Sequence, residues 1–156
     1  MRIIASVVLS GAILMGLSAT AHADKRLEGM VKARQGYYQL ISNNAGVLFA
    51  MAKGDVEYTA EAATMAANNL KTLSSLDISG LWDPATSKEA MPGKTRALQA
   101  MWDTYPAVLE KSKALNDAIA VMADEAGNGL DAVRANVKAL GASCKGCHDD
   151  FRADSF

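Results

Sequence analysis

Residues 144–148 read Cys144-Lys145-Gly146-Cys147-His148 and lie close to the C-terminus of this 156-residue chain. The pattern C-x-x-C-H is the attachment signal of a c-type haem. The two thiols add to the two vinyl groups of the porphyrin, and the imidazole that follows binds the iron. On a helix the three side chains stand at positions i, i+3 and i+4, so they leave from one face. The motif predicts one covalent haem c, held by Cys144 and Cys147, with His148 as the metal ligand.

Other interpretations of the two cysteines fit less well. A thioredoxin-like redox pair needs a strand–helix–strand context and usually stands at a helix start, whereas this pair follows a long helical pattern. A zinc site needs about four ligands, and after residue 23 the chain has only these three cysteine and histidine side chains. A structural disulfide would leave the adjacent histidine unexplained.

The N-terminus has the pattern of a signal peptide. Arg2 precedes an apolar run over residues 3–17, and Ala21-His22-Ala23 forms a small-x-small cleavage site. Cleavage before Asp24 would leave one domain over residues 24–156, which is 156 minus 23, or 133 residues. The apolar run is short for a membrane span, although a retained N-terminal anchor is the alternative. Export to the periplasm is therefore expected.

Charge and composition narrow the remaining classes. The chain carries 16 basic and 17 acidic residues without a basic stripe, so a nucleic-acid partner is not expected. No apolar run after the signal peptide is long enough to span a membrane, so no membrane association is expected after cleavage. Only three prolines occur, and the abundance of alanine and leucine favours helices.

Apolar residues recur at steps of three and four along four segments, at residues 24–54, 59–76, 95–125 and 130–153. These segments predict an all-α fold, an antiparallel up-down-up-down four-helix bundle with one long connection over residues 77–94. Pro106 either kinks the third helix or marks its true start. The inward positions of the second and third helices are expected to include Met65, Tyr105 and Leu109. Leu81, Trp82 and Met91 are apolar anchors that would fold the long loop onto the core.

The topology also predicts where a haem pocket would form. In an antiparallel bundle the end of helix four lies level with the beginning of helix one. At 1.5 Å per residue, His148 stands roughly 10 Å from the end of its helix, opposite residues 34–38. The loop between helices two and three closes the same end, so residues 34–38, the loop 77–96 and helix four should meet.

These residues together resemble the cytochrome c′ family, the class II c-type cytochromes. The resemblance rests on Lys32-Ala33-Arg34-Gln35 early in helix one, on Trp102, and on the C-terminal run from Cys144 to Arg152, and it covers essentially the whole mature chain. Class I cytochromes carry the haem motif near the N-terminus instead.

The resemblance implies roles for further residues. Cys144 and Cys147 would hold the haem and His148 would be the proximal ligand. The other haem contacts that it implies are Arg34, Gln35, Thr95, Arg96 and Arg152. Arg34 could instead be a solvated helix charge, and Arg152 a cation favoured by the dipole at a helix C-terminus.

The sixth coordination position decides the function. The mature chain has no second histidine, and low-spin members of the family carry methionine at the position of Tyr38. A neutral phenol is a poor iron ligand at pH 7, so Tyr38 is expected to cover an open site, with Tyr37 or Ile41 as alternatives. Five-coordinate, high-spin iron with an apolar distal pocket should favour NO and CO.

Two functions follow, gas binding and one-electron transfer with periplasmic redox partners. The alternative is a low-spin His/Met electron-transfer cytochrome without gas binding. No general base or substrate cleft is evident, so an enzyme is not expected. The resemblance also implies a homodimer through helices one and two, where the small residues Gly36, Ala45 and Ala50 would permit close packing.

Overall fold

The computed structural model describes the backbone of residues 12–156 and the side chains from residue 23 onward. Its α-helices are α1 (Ala12–Lys53), α2 (Ala60–Ser74), α3 (Ala100–Asp103), α4 (Tyr105–Glu125) and α5 (Leu130–Phe151). Short 3₁₀ turns occur at Ser79–Leu81, Pro84–Thr86 and Ala126–Asn128. Residues 1–11 of the predicted signal peptide lie outside the described residues, and α1 runs through the predicted cleavage position.

Local chemistry sets the helix ends. Gly54 follows α1 with φ of 85° and Gly129 precedes α5 with φ of 118°, backbone conformations that glycine adopts at little cost. The Thr59 side chain accepts the backbone N–H of Ala62 at 3.2 Å, which confirms it as the N-cap of α2. The helix proper begins beside Pro106, as one of the two alternatives predicted, because a proline fits the first helical turn.

The long helices α1, α2, α4 and α5 form the four-helix bundle, in which α1 packs on α2, α2 on α4, α4 on α5, and α5 on α1. The antiparallel register is visible between α1 and α5. A Cβ at Gly141 would lie 3.6 Å from the Phe49 ring, and Arg134 Nε donates to the Ala52 carbonyl at 3.1 Å. Because α1 and α5 run in opposite directions, the N-terminal half of α1 lies level with the C-terminal end of α5.

The core lies between these four helices. Its fully buried apolar side chains are the large residues Leu48, Leu70, Ile119, Met122, Val133 and Leu140. Alanines of α2 fill the remaining close approaches, which suits the tight packing of a bundle. No described helix is long and apolar enough to cross a membrane.

The structure corrects part of the predicted third helix. Residues 95–99 are not helical, because the backbone of Arg96 and Leu98 pairs with the chain end instead: Leu98 N donates to Phe151 O at 3.0 Å and Ala153 N donates to Arg96 O at 2.9 Å. Thr104, at φ −125° and ψ 44°, then separates α3 from α4.

Three residues expected to face inward are exposed. Tyr105 and Leu109 stand off the stripe of α4 that carries Leu115, Ile119 and Met122 into the core. Met65 is 61% exposed because α2 turns Ala63, Ala66, Ala67 and Leu70 toward the bundle. The 3.6-residue period predicted these helices correctly, but the face that each helix buries in the core is narrower than the predicted apolar stripe.

Candidate functional site

The C-x-x-C-H motif lies within the last two turns of α5. Cys144, Cys147 and His148 are half-buried, and neither thiol forms a disulfide. Since this segment is α-helical, the three side chains leave from one face of α5, as the spacing predicted. Lys111 of α4 reaches the same turn and pairs with Asp150 at 2.9 Å.

The surroundings of the motif favour the neutral forms of its two thiols and its imidazole. Burial raises the pKa of both Cys144 and Cys147, so both remain thiols at neutral pH. Burial, with the nearby Arg152 and Arg96 cations, lowers the pKa of His148. A neutral imidazole keeps a lone pair that can bind a metal. Arg152 Nη1 lies 3.4 Å from His148 Nε2, which places the guanidinium beside the imidazole.

Arg34 on α1 is a buried cation, only 3% exposed. Its Nη1 donates to Leu81 O at 3.0 Å and to Thr86 Oγ1 at 2.6 Å, and its Nη2 donates to Thr86 O at 3.2 Å. The guanidinium also stacks 4.3 Å above the Trp82 ring. Among the described residues, no carboxylate forms an ion pair with Arg34. The alternative of a solvated helix charge is therefore wrong for this residue.

Gln35 of α1 and Thr95 of the long loop lie where the end of the loop packs against α1. Gln35 Nε2 donates to Lys94 O at 2.9 Å. The buried Thr95 hydroxyl lies 3.5 Å from Arg34 Nη2 and accepts the Ala97 N–H at 3.2 Å. Both side chains therefore fix the end of the long loop against α1.

Arg96 and Arg152 lie at the end of α5. Arg96 Nη1 donates to Asp154 O at 3.3 Å and its guanidinium stands 5.3 Å from the Phe156 ring centre. Arg152 follows the last helical turn and forms an antiparallel bridge with Ala97. The loop thus reaches the end of the helix that carries His148.

Tyr38 faces the region between α1 and α5. Its ring packs edge-on against Tyr37 at 5.0 Å and Trp82 at 6.3 Å between ring centres. Although 42% of the residue is exposed, burial of the phenol and the nearby Cys147 raise its pKa, so the hydroxyl stays neutral. The Tyr37 hydroxyl donates to Leu73 O at 3.2 Å, and Ile41 belongs to the core cluster. Of the three side chains considered, Tyr38 alone is free of the core.

Sequence reasoning missed Thr86 and the pair formed by Lys111 and Asp150. Thr86 is fully buried and accepts from Arg34, yet in the sequence it is one hydroxyl residue in a loop. Lys111 stands on an exposed position of the helical pattern, far from the motif in sequence. Without the fold, nothing in the sequence would have located Thr86 or Lys111 at the site.

The residues fit a covalently attached haem. Two neutral thiols on one face can add across vinyl groups, and a neutral imidazole follows them directly. The buried Arg34 charge, satisfied only by neutral acceptors, would match a porphyrin carboxylate. The segments predicted to form the pocket, residues 34–38, the long loop and the end of the last bundle helix, do meet in the structure.

The chain matches known proteins along most of its length. It is 39% identical to the cytochrome c′ of Cereibacter sphaeroides over 145 residues, covering 93% of this chain and 96% of that protein. It is 32% identical to a cytochrome c-554 of the same organism over 139 residues, covering 89% of this chain and 90% of that protein.

Solved structures of cytochrome c′ superpose on most of this chain. The cytochrome c′ of Rhodobacter spheriodes superposes with a TM-score of 0.80 at 40% identity, covering 82% of this chain and 98% of that one. A ferrous variant of the Alcaligenes xylosoxidans cytochrome c′ with bound NO superposes with a TM-score of 0.70 at 30% identity, covering 81% and 97%. The family model described as Cytochrome C′ matches residues 29–152, and the chain belongs to this family of c-type haem proteins.

Proposed function

We propose that this chain is a periplasmic haem protein in which Cys144 and Cys147 hold haem c and His148 is the sole protein ligand of the iron. Haem would supply an iron that binds diatomic ligands and changes its oxidation state by one electron. The protein would bind NO and CO and take part in one-electron transfer with periplasmic partners. It would be a carrier and gas-binding protein rather than an enzyme.

One observation carries this proposal: Tyr38 of α1, and not a methionine or a histidine, lies near Cys147. The raised pKa of its phenol keeps it protonated, and a neutral phenol is a poor iron ligand at pH 7. Tyr38 and Trp82 would exclude water from the sixth position without occupying it. Small uncharged ligands suit such an apolar pocket, and one relative in the family has been solved with NO bound.

The other side chains would orient the cofactor. Arg34 and Gln35 on α1, together with Thr95 and Arg96 on the loop, would bind the porphyrin edge and its carboxylates. Arg152 would lie on the proximal side, beside the imidazole, since it already stands next to His148 Nε2. Arg34, Gln35, Thr95 and Arg96 each form side-chain hydrogen bonds within the protein that hold them in position.

Export follows from the N-terminal pattern. Residues 1–23 would be removed as a signal peptide, and the domain of residues 24–156 would take up haem outside the cytoplasm. Intact-mass measurement of the protein purified from periplasm tests both steps at once. A mass equal to residues 24–156 plus one haem supports them, and retention of residues 1–23 contradicts the cleavage.

A homodimer would form through the outer faces of α1 and α2. Leu40 and Val47 of α1 and Met65 of α2 are exposed apolar side chains there, and Asn69 Nδ2 donates to Asn44 Oδ1 at 2.9 Å between the two helices. Ala45 cannot contribute as expected, because it is buried in the protein's own core. Sedimentation of M65E should show a shift toward monomer, with the exposed V121E on α4 as the matched control.

The second candidate is a low-spin His/Met electron carrier. Met91 and Met101 lie half-buried in the segment that flanks the site, and in this candidate a methionine thioether would be the second axial ligand. Optical and EPR spectra of the ferric and ferrous holoprotein, before and after NO, separate the two candidates. High-spin spectra that change on NO support the open site, and low-spin spectra without NO binding support methionine ligation. Y38M provides a low-spin reference.

A further inference from the structure

The chain end beyond α5 is fastened to the long loop by a set of contacts that we call the C-terminal clamp, formed by Lys88 and residues 96–98 with residues 151–155. Leu98 N donates to Phe151 O at 3.0 Å, and Ala153 N donates to Arg96 O at 2.9 Å. Lys88 Nζ donates to Ser155 O at 2.6 Å, and Lys88 N donates to Ala97 O at 2.7 Å. Lys88 thus contacts both segments of the clamp: its side chain binds the chain end at Ser155, and its backbone binds the loop at Ala97.

The clamp is anchored to the bundle on its loop side. Thr86, two residues before Lys88, is fully buried and takes two hydrogen bonds from Arg34, which is itself buried in α1. Ser87 is also buried, and its hydroxyl accepts the Ala90 N–H at 3.2 Å. The loop therefore resists displacement of the chain end relative to α1, because its buried hydrogen bonds are costly to break.

The clamp begins where the turn that carries His148 ends. The His148 carbonyl accepts the Arg152 N–H at 3.1 Å, and Arg152 forms the bridge with Ala97. Phe151, between them, is buried. The last turn of α5 is therefore held at both ends, by the bundle before the motif and by the clamp after it.

We infer that the C-terminal clamp makes Lys88 a positioning residue for the proximal ligand, opposing rupture of the iron–His148 bond when NO binds. This inference rests on the proposed function. Haem would supply a ferrous iron that binds NO, and His148 would hold that iron through its imidazole nitrogen. If the iron–His148 bond broke, its electron pair would stay on the imidazole nitrogen, and neither the iron nor the histidine would be oxidised or reduced. The imidazole must then withdraw from the iron, by side-chain rotation or by displacement of the last turn.

The clamp blocks the second of these routes. Displacing the last turn of α5 would separate Leu98 N from Phe151 O and Ala153 N from Arg96 O, while side-chain rotation leaves both bonds intact. A loosened clamp opens the route through backbone displacement and speeds the rupture. It should leave the initial capture of NO unchanged, because none of its residues lies on the Tyr38 side of the site.

Two variants loosen the clamp independently. Lys88→Met removes the bond to Ser155 while keeping the apolar stem of the side chain. Ala153→Pro removes the N–H that donates to Arg96 O, and the preceding Arg152, at φ −124° and ψ 123°, already has the backbone that a residue before proline prefers. Lys138→Met is the matched control, since Lys138 is exposed on α5 and away from the clamp.

The experiment follows ferrous holoprotein mixed with NO by stopped-flow absorption and EPR, which distinguish iron with and without a nitrogen ligand opposite NO. Losing one hydrogen bond corresponds to a rate change of about two- to tenfold. We expect this increase in the rupture step for Lys88→Met and Ala153→Pro, with no change in NO capture and none for Lys138→Met. Amide hydrogen exchange at Leu98, measured without NO, should be faster in both clamp variants.

The outcomes separate the inference from the proposed function. Faster exchange at Leu98 with an unchanged rupture rate overturns the inference, since the clamp would then be loosened without affecting His148. Unchanged exchange in both variants overturns the clamp itself. A wild-type protein that lacks covalent haem or does not bind NO refutes the proposed function instead.

Discussion

Replacing Arg34 tests how the site is held together. In Arg34→Met the side chain keeps most of its length and loses every donor. Three close acceptors, Leu81 O, Thr86 Oγ1 and Thr86 O, lose their partner. The Thr86 hydroxyl can turn elsewhere and water can reach Leu81 O, so about one buried carbonyl stays unpaired, at a cost of about 1–3 kcal/mol.

Two further losses add to the destabilisation by Arg34→Met, and one gain offsets part of it. The stacking of the guanidinium on Trp82 at 4.3 Å contributes about 1 kcal/mol, and the remaining lost hydrogen bonds contribute about 1 kcal/mol each. Removing a buried charge returns part of its desolvation cost. The expected destabilisation for Arg34→Met is about 3 kcal/mol. Arg34→Lys keeps the charge but reaches fewer acceptors with a single ammonium group, so about half of this loss is expected.

The assay is urea unfolding of the holoprotein followed by far-UV circular dichroism, with Lys32→Met as the control. Lys32 is exposed on the same helix, and its replacement should change the unfolding free energy by less than about 0.5 kcal/mol. An Arg34→Met protein as stable as this control would refute the argument that Arg34 fastens the long loop to α1. Arg34→Lys matching the wild type would show that charge alone matters, not the fork of donors.

Three further changes test the bundle. Thr59→Ala should lower the unfolding free energy by about 1 kcal/mol through loss of the helix cap, measured by urea unfolding. Leu70→Ala should cost about 3 kcal/mol in the same assay because Leu70 is fully buried, whereas the exposed Leu76→Ala should cost little. Gly127→Ala would place a Cβ 2.7 Å from Thr64 Oγ1 and should cost about 1 kcal/mol. Adding Thr64→Ala should remove that cost, and an additive double mutant would contradict the clash.

The sequence was sufficient for the bundle because its helices follow simple periodic rules. The C-terminal ends of all four predicted segments lie within two residues of the observed helix ends, and the capping role of Thr59 was readable from its residue type. The predicted third helix failed over residues 95–99, where periodicity favoured a helix but the backbone of Arg96 and Leu98 pairs with the chain end. A pairing between segments so far apart in sequence leaves no local pattern.

The candidate site, like the fold, could be predicted only in part from the sequence. The motif at residues 144–148 carries its chemistry in its spacing, so its two thiols and imidazole could be predicted without a fold. The resemblance implied a haem contact for Arg34, but it did not indicate the loop acceptors around which the guanidinium is buried. Thr86 is buried only because the turn after Asp83 brings it under the guanidinium, with Thr86 N donating to Asp83 O at 2.8 Å. That contact depends on loop geometry, which residue types alone do not determine.

The long loop, more than the helices, therefore distinguishes this chain's site. Helices α1 and α5 bring Tyr38 and Cys147 to the same level, and any antiparallel bundle of this length would do so. The loop adds what the helices cannot. Trp82 packs on Tyr38 on one side of the site, while Arg96 and Leu98 bind the end of α5 on the other. One continuous segment thus contacts both sides, so a change at Trp82 should alter ligand binding on the Tyr38 side, whereas a change at Lys88 or residues 96–98 should alter histidine retention on the α5 side.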